Sequence, residues 1–167
     1  MSELDFYNSY HTHIANKFIH VVCIPMIMFS TLNFISLFKI VGTRTSGCEN
    51  KLIISLDSLL YYFYIFLYTL KFGSHQSWFQ LIVTEIYLTC IFTYAYYFRI
   101  TNHVYATKNS RLSRWQRNNI KIFIFAWVMQ FIGHYIEGSS PALFIGLKQT
   151  FLYAPIFSLN NIITVIN

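Results

Sequence analysis

The sequence predicts an all-α membrane protein: a polytopic helix bundle of about four spans followed by a proline-interrupted hydrophobic C-terminal tail. Three observations carry this expectation. Of the 167 residues, 55% are hydrophobic and only 11% are charged, too apolar for a soluble domain. The apolar residues gather into runs near the ~20 residues that a helix needs to cross hydrocarbon. No internal repeat and no low-complexity linker divides the chain, so residues 1–167 read as one membrane-embedded domain.

Residues 1–16 form a polar, aromatic lead-in that suits the membrane interface, with Asn16 placed to cap the helix that follows. The first span is expected from Phe18 to Ile40. It contains Pro25, whose missing N–H leaves the Val21 carbonyl without its helical partner and should bend the helix one turn beyond His20. Gly42 to Asn50 is a short loop, Leu52 to Leu70 a second span carrying Asp57, and Lys71 to Ser77 a turn. Phe79 to Phe98 is a third span, carrying Glu85. A basic loop over 99–121 follows, with Arg99, Lys108, Arg111, Arg114, Arg117 and Lys121, and overlaps the start of a fourth span from Ile120 to Ile136. Ser139-Ser140-Pro141 reads as a cap and a first-turn proline. The tail from Ala142 to Ile166 is apolar, but Pro155 divides it into pieces too short to span.

The net charge of +6 points to anionic lipid headgroups rather than nucleic acid, because the basic residues cluster in loops between apolar runs. Cys23, Cys48 and Cys90 show no paired spacing, which excludes a disulfide framework and a cysteine-based zinc site. Glu3 and Asp5 stand where a cleavable signal peptide would be basic, and the first apolar run is too long for one. If four spans cross in turn, the start of the first and the end of the fourth share one face. His11, His13 and His20 then lie on the side of Gln130, His134 and Glu137. The positive-inside rule puts the first and third loops in the cytoplasm.

Chemistry concentrates in Trp127 to Gly138. With about 100° per residue, Gln130, His134 and Glu137 form one helical stripe. Gly133 beside it admits a close backbone, and Gly138 is placed for a left-handed cap. His11 and His20 would point about 180° apart on one helix, so they share a centre only if the chain breaks between them, for which Asn16 is the candidate. Imidazoles without cysteine suit iron, zinc, copper or nickel, and His with water or carboxylate suits non-haem Fe(II) and O₂. The competing reading is a polar cluster that only pins helices together. His75 and His103 fall in turns and read as solvated; Asp57 and Glu85 must be paired or face an aqueous cavity, and since by depth Glu85 lies near the His side and Asp57 near the opposite one, Glu85 is the better functional candidate. The tyrosine-rich faces read as core and interface belt.

The order Phe6-Tyr7, Tyr10-His11, Asn16, His20, Pro25, then Trp127, Gln130-Phe131-Ile132-Gly133-His134, Glu137, Pro141-Ala142-Leu143 and Ala154-Pro155 resembles a known family. This is the family of small endoplasmic-reticulum membrane proteins that includes the fungal Fe(II)-dependent 2-hydroxy fatty acid dioxygenase. Where many relatives have Asn-Pro, this chain has His13-Ile14. The resemblance implies a multi-pass protein that uses O₂ to shorten 2-hydroxy fatty acids by one carbon, as in sphingoid-base breakdown. It implies His11, His20 and His134 as ligands of Fe(II), with Asn16, Gln130 and Glu137 as supporting or further ligand residues. Two other functions stand beside it: a non-catalytic membrane protein with a structural His metal or lipid-headgroup site, and a small transporter coupled through Asp57 and Glu85, which no repeat symmetry supports.

Overall fold

The computed structural model describes residues 11–42, 53–72, 78–103, 114–138 and 152–160. Expectations for Phe6-Tyr7, Tyr10, Arg44, Cys48, His75, Lys108, Arg111, Ser139-Ser140-Pro141 and Ala142-Leu143 lie outside them. In chain order the elements are α1 (Ile14–Ile35), β1 (Lys39–Gly42), β2 (Ile53–Ser55), α2 (Leu56–Phe72), α3 (Trp78–His103) and α4 (Arg114–Glu137). A last helix, α5, covers 152–160.

Among the described residues, three helices are long and apolar enough to cross a membrane: Ile14–Ile35, Leu81–Thr101 and Trp115–Glu137. The 22 residues of α1 rise about 33 Å, which matches a hydrocarbon core of about 30 Å. The second expected span, α2, has 17 residues and rises only about 26 Å, shorter than a bilayer helix normally needs. Two boundaries move for a local reason. The β-branched pairs Ile40-Val41 and Ile53-Ile54 favour extended backbone, so α1 stops at Ile35 rather than Ile40 and α2 begins at Leu56 rather than Leu52. The residues between become an antiparallel ribbon pairing Lys39 with Ser55, Val41 with Ile54 and Gly42 with Ile53. The basic loop shortens as well, because Arg99 lies inside α3 and Arg117 and Lys121 inside α4.

The chain packs as two compact units, one of Met1–Met28 with Gln116–Asn167 and the other of Phe29–Trp115. In the second, α2 and α3 meet along a seam of polar and aromatic pairs. Tyr61 shares a 2.9 Å hydrogen bond with Thr89 and stacks on Phe92 at 4.5 Å. Thr69 donates to Glu85 at 3.0 Å, which supplies the partner that a carboxylate at this depth requires. Asp57 sits in the first turn of α2, where the helix dipole favours an acid, rather than inside a span. It accepts from Ser55 and from Arg99, the latter at 2.7 Å, with Asp57 buried. Arg99→Leu is expected to cost about 3–5 kcal/mol, because it strands a buried carboxylate, whereas replacing both partners with leucine costs less. Melting of the two variants and the native protein in detergent, followed by circular dichroism, measures this.

In the first unit, α1 shows two faces. Ile14, Phe18 and Val22, four residues apart, are exposed apolar side chains suited to lipid, while Asn16, His20 and Ile24 on the opposite side are buried. On α4 the exposed side holds Val128, Phe131 and Tyr135, and the buried side holds Ala126, Gln130, Gly133 and His134. Helix α1 continues through Pro25, and the Val21 carbonyl that Pro25 leaves free accepts the hydroxyl of Ser158 at 3.3 Å. That bond sets α5 against α1, where Phe157 and Ile24 form a buried apolar pair flanked by Met28 and Ala154. Pro155 lies inside the helical stretch 152–160 and does not break it.

Candidate metal centre

Each ligand candidate owes its position to a local device. The chain turns at Thr12-His13, so His11 precedes α1 while His20 lies on its buried face. The break that lets both rings share a centre thus falls before Asn16. Asn16 is inside the helix, and His13 caps it by accepting the Ala15 N–H on Nδ1 at 3.2 Å. An asparagine followed by proline would fill the same cap and first-turn positions, so His13-Ile14 keeps the geometry by other means. His134 stands in the last turn of α4, and Gly138 closes that helix with φ 70°, as its position predicts.

His11, His20 and His134 come together, all buried, with one candidate ligand atom from each within 4.8 Å of the others. Their ring centroids are 4.5, 5.1 and 5.0 Å apart. The His20 Nδ1–H donates to the Asn16 carbonyl at 2.9 Å, and since a carbonyl only accepts, the lone pair of His20 is on Nε2. That atom faces the His11 Nε2 at 3.1 Å. Two imidazole nitrogens each about 2.1 Å from one ion and at right angles to it stand about 3 Å apart. His134 Nδ1 is buried with no hydrogen-bond partner among the described residues, a cost that a metal bond would remove. The residues therefore fit an ion held by three imidazoles, one of which already has its tautomer fixed by a carbonyl.

The other predicted site residues take separate places. Glu137 accepts from the Thr12 N–H, from the Thr12 hydroxyl at 2.8 Å, from the His13 N–H at 3.0 Å and from the Asn16 side-chain amide. Asn16 is fully buried, with Oδ1 against Gly133, where an added Cβ would lie 2.3 Å away. Gln130 is buried one turn before His134 on the same face of α4. His13 is exposed at the cap and does not join the three imidazoles.

Sequence reasoning missed three contributors. Phe157, with no exposed surface, lies 4.7 Å from the His11 ring and 6.0 Å from the His20 ring, centroid to centroid. Ser158 docks the helix that carries it, and Thr12 supplies two of the donors to Glu137. Only Ser158 had a readable signal: the free Val21 carbonyl needed a donor from somewhere.

Searches of curated proteins and of solved structures give no match. A family model described as 2-hydroxy-palmitic acid dioxygenase Mpo1-like matches residues 1–165, and of the motif residues in that range His11, Asn16, His20, Gln130, Gly133 and His134 are buried at or beside the three-imidazole centre. The chain belongs to the 2-hydroxy-palmitic acid dioxygenase Mpo1-like family.

Proposed function

We propose that this protein is an iron-dependent dioxygenase of the endoplasmic reticulum membrane that shortens 2-hydroxy fatty acids by one carbon. The observation that carries the proposal is the convergence of His11, His20 and His134 in a buried, cysteine-free cluster in a member of this family. Bound Fe(II) supplies Lewis acidity, O₂ chemistry and a template for the 2-hydroxy carboxylate. Three imidazoles are neutral ligands, so they leave the ion's charge available to an anionic substrate. Asn16 holds the His20 ring through its carbonyl, Phe157 keeps water from the flank of His11 and His20, and Gln130 lies within one turn of His134. The overall reaction balances without an added reductant: RCH(OH)CO₂H and O₂ give RCO₂H, CO₂ and H₂O.

The same reading favours four crossings. Helix α1 begins at the cluster and α4 ends there, so an even number of crossings is required; with α1, α3 and α4 crossing, α2 must cross as well. The basic residues that flank the ends of α1 and α3 then face the cytoplasm, with the cluster toward the lumen.

Purified protein in detergent should contain iron and convert 2-hydroxypalmitate to the acid one carbon shorter in air but not under nitrogen. Chelation should abolish this activity, and Fe(II) but not Zn(II) should restore it. Metal retention without turnover would instead support a structural metal site.

A further inference from the structure

We propose that Glu137 is a positioning residue: it fastens the segment carrying His11 to the end of α4, so that docking of this segment and metal binding are one equilibrium. The proposal rests on the reading of the three imidazoles as a metal centre. Both carboxylate oxygens of Glu137 are engaged by the other segment. Oε1 accepts the Thr12 N–H, the Thr12 hydroxyl and the His13 N–H, and Oε2 accepts the Asn16 amide. With four donors supplied by residues 12, 13 and 16, the carboxylate is committed to holding chain rather than to ligation.

The consequence for His11 follows from connectivity. His11 precedes α1 and has no helical backbone to place it, whereas His20 and His134 are fixed by α1 and α4. Thr12 is the next residue, and its N–H, which belongs to the peptide unit joining it to His11, is one of the bonds to Glu137. Hydrogen bonds to a charged acceptor are roughly twice as strong as those between neutral groups. Glu137 also accepts from backbone N–H groups at the start of α1, where no helical acceptor exists, and its negative charge suits that end of the helix dipole. Release of Glu137 therefore loosens the peptide unit beside His11, a ligand that otherwise keeps its place through ring contacts with His20 and Phe157 rather than through a helical backbone. By linkage, an ion bound to all three imidazoles tightens the clasp by the same factor as the clasp tightens the ion.

Titration with Co(II) alone, followed by its visible absorption, tests this on the full chain in detergent. Glu137→Gln keeps the shape but sets an NH₂ group against donors, and it should weaken Co(II) binding about 10–100-fold, as loss of a supporting group around a metal typically does. The decisive comparison is a double-mutant cycle with His11→Ala. If Glu137 acts chiefly through His11, most of the cost of Glu137→Gln disappears once His11 is gone, leaving only the part that passes through Asn16 to His20. Co(II) should also slow amide hydrogen exchange at Thr12 and His13 in the native chain, and not in Glu137→Gln. Full additivity in the cycle, or unchanged Co(II) affinity in Glu137→Gln, overturns the proposal. Should Glu137→Gln fail to fold, Thr12→Val removes only the hydroxyl bond; its severalfold loss must likewise vanish in the His11→Ala background, and persistence overturns the proposal. None of these readouts uses turnover, so failure of the dioxygenase reading is seen separately, as Co(II) binding without conversion of 2-hydroxypalmitate.

Discussion

His134→Ala is expected to bring bound iron and turnover to background while the protein still folds. Of the three imidazoles only His134 comes from α4, so its loss leaves two ligands from the other end of the chain. Supporting groups around a metal are worth about 10–100-fold in affinity, and loss of a direct ligand should exceed the upper end of that range. The fold survives for a specific reason. At 3.1 Å, the Nε2 atoms of His11 and His20 can share a proton as an ordinary hydrogen bond, and the bonds from Glu137 to Thr12, His13 and Asn16 do not involve His134. Elemental analysis, an assay with 2-hydroxypalmitate and a melting curve in detergent check the three parts. Iron content equal to that of the native protein would remove His134 from the ligand set.

Gly133→Ala should be nearly as damaging, although alanine is the better helix former by about 1 kcal/mol. The new methyl would lie 2.3 Å from Asn16 Oδ1, 3.3 Å from its Cγ and 3.4 Å from Ile19 Cδ1. Asn16 is fully buried and its amide is tied to Glu137, so it cannot swing aside without giving up that bond. Overpacking costs about 1–3 kcal/mol and a lost bond to a charged acceptor about 1.5–3 kcal/mol, so the sum outweighs the gain in helix propensity. The carbonyl of the same Asn16 holds the His20 ring. The variant should therefore melt lower and bind Co(II) more weakly. Gly138→Ala is the useful contrast: no described residue has an atom within 4 Å of its added Cβ, and its φ of 70° adds backbone strain.

Where the sequence was legible, a single physical rule decided the outcome. Helical periodicity put Gln130, His134 and Glu137 on one stripe, and all three turn inward from the exposed face of α4. The need for a break between His11 and His20 was also readable, but its place was not. A histidine nitrogen capping α1 from His13 is not a standard cap, and the acceptor that completes the turn comes from Glu137, 125 residues away from Thr12 in sequence. The Lys39–Gly42 and Ile53–Ser55 ribbon escaped notice because its apolar β-branched residues read equally well as the ends of two spans. Phe157 was hidden for a similar reason: an aromatic residue in an apolar tail carries no mark that separates lipid contact from contact with an imidazole.

The distance along the chain between the imidazoles bears on how the protein is made. His11 and His20 leave the ribosome first, and the group that completes their trio follows only after the intervening helices have been synthesised, at about 5–20 residues per second. On the proposed reading, a nascent or half-inserted chain would offer an ion only two of the three imidazoles. Reactivity toward oxygen would then arrive with the finished architecture, which would spare unfinished copies and nearby lipids from stray oxidation during biogenesis.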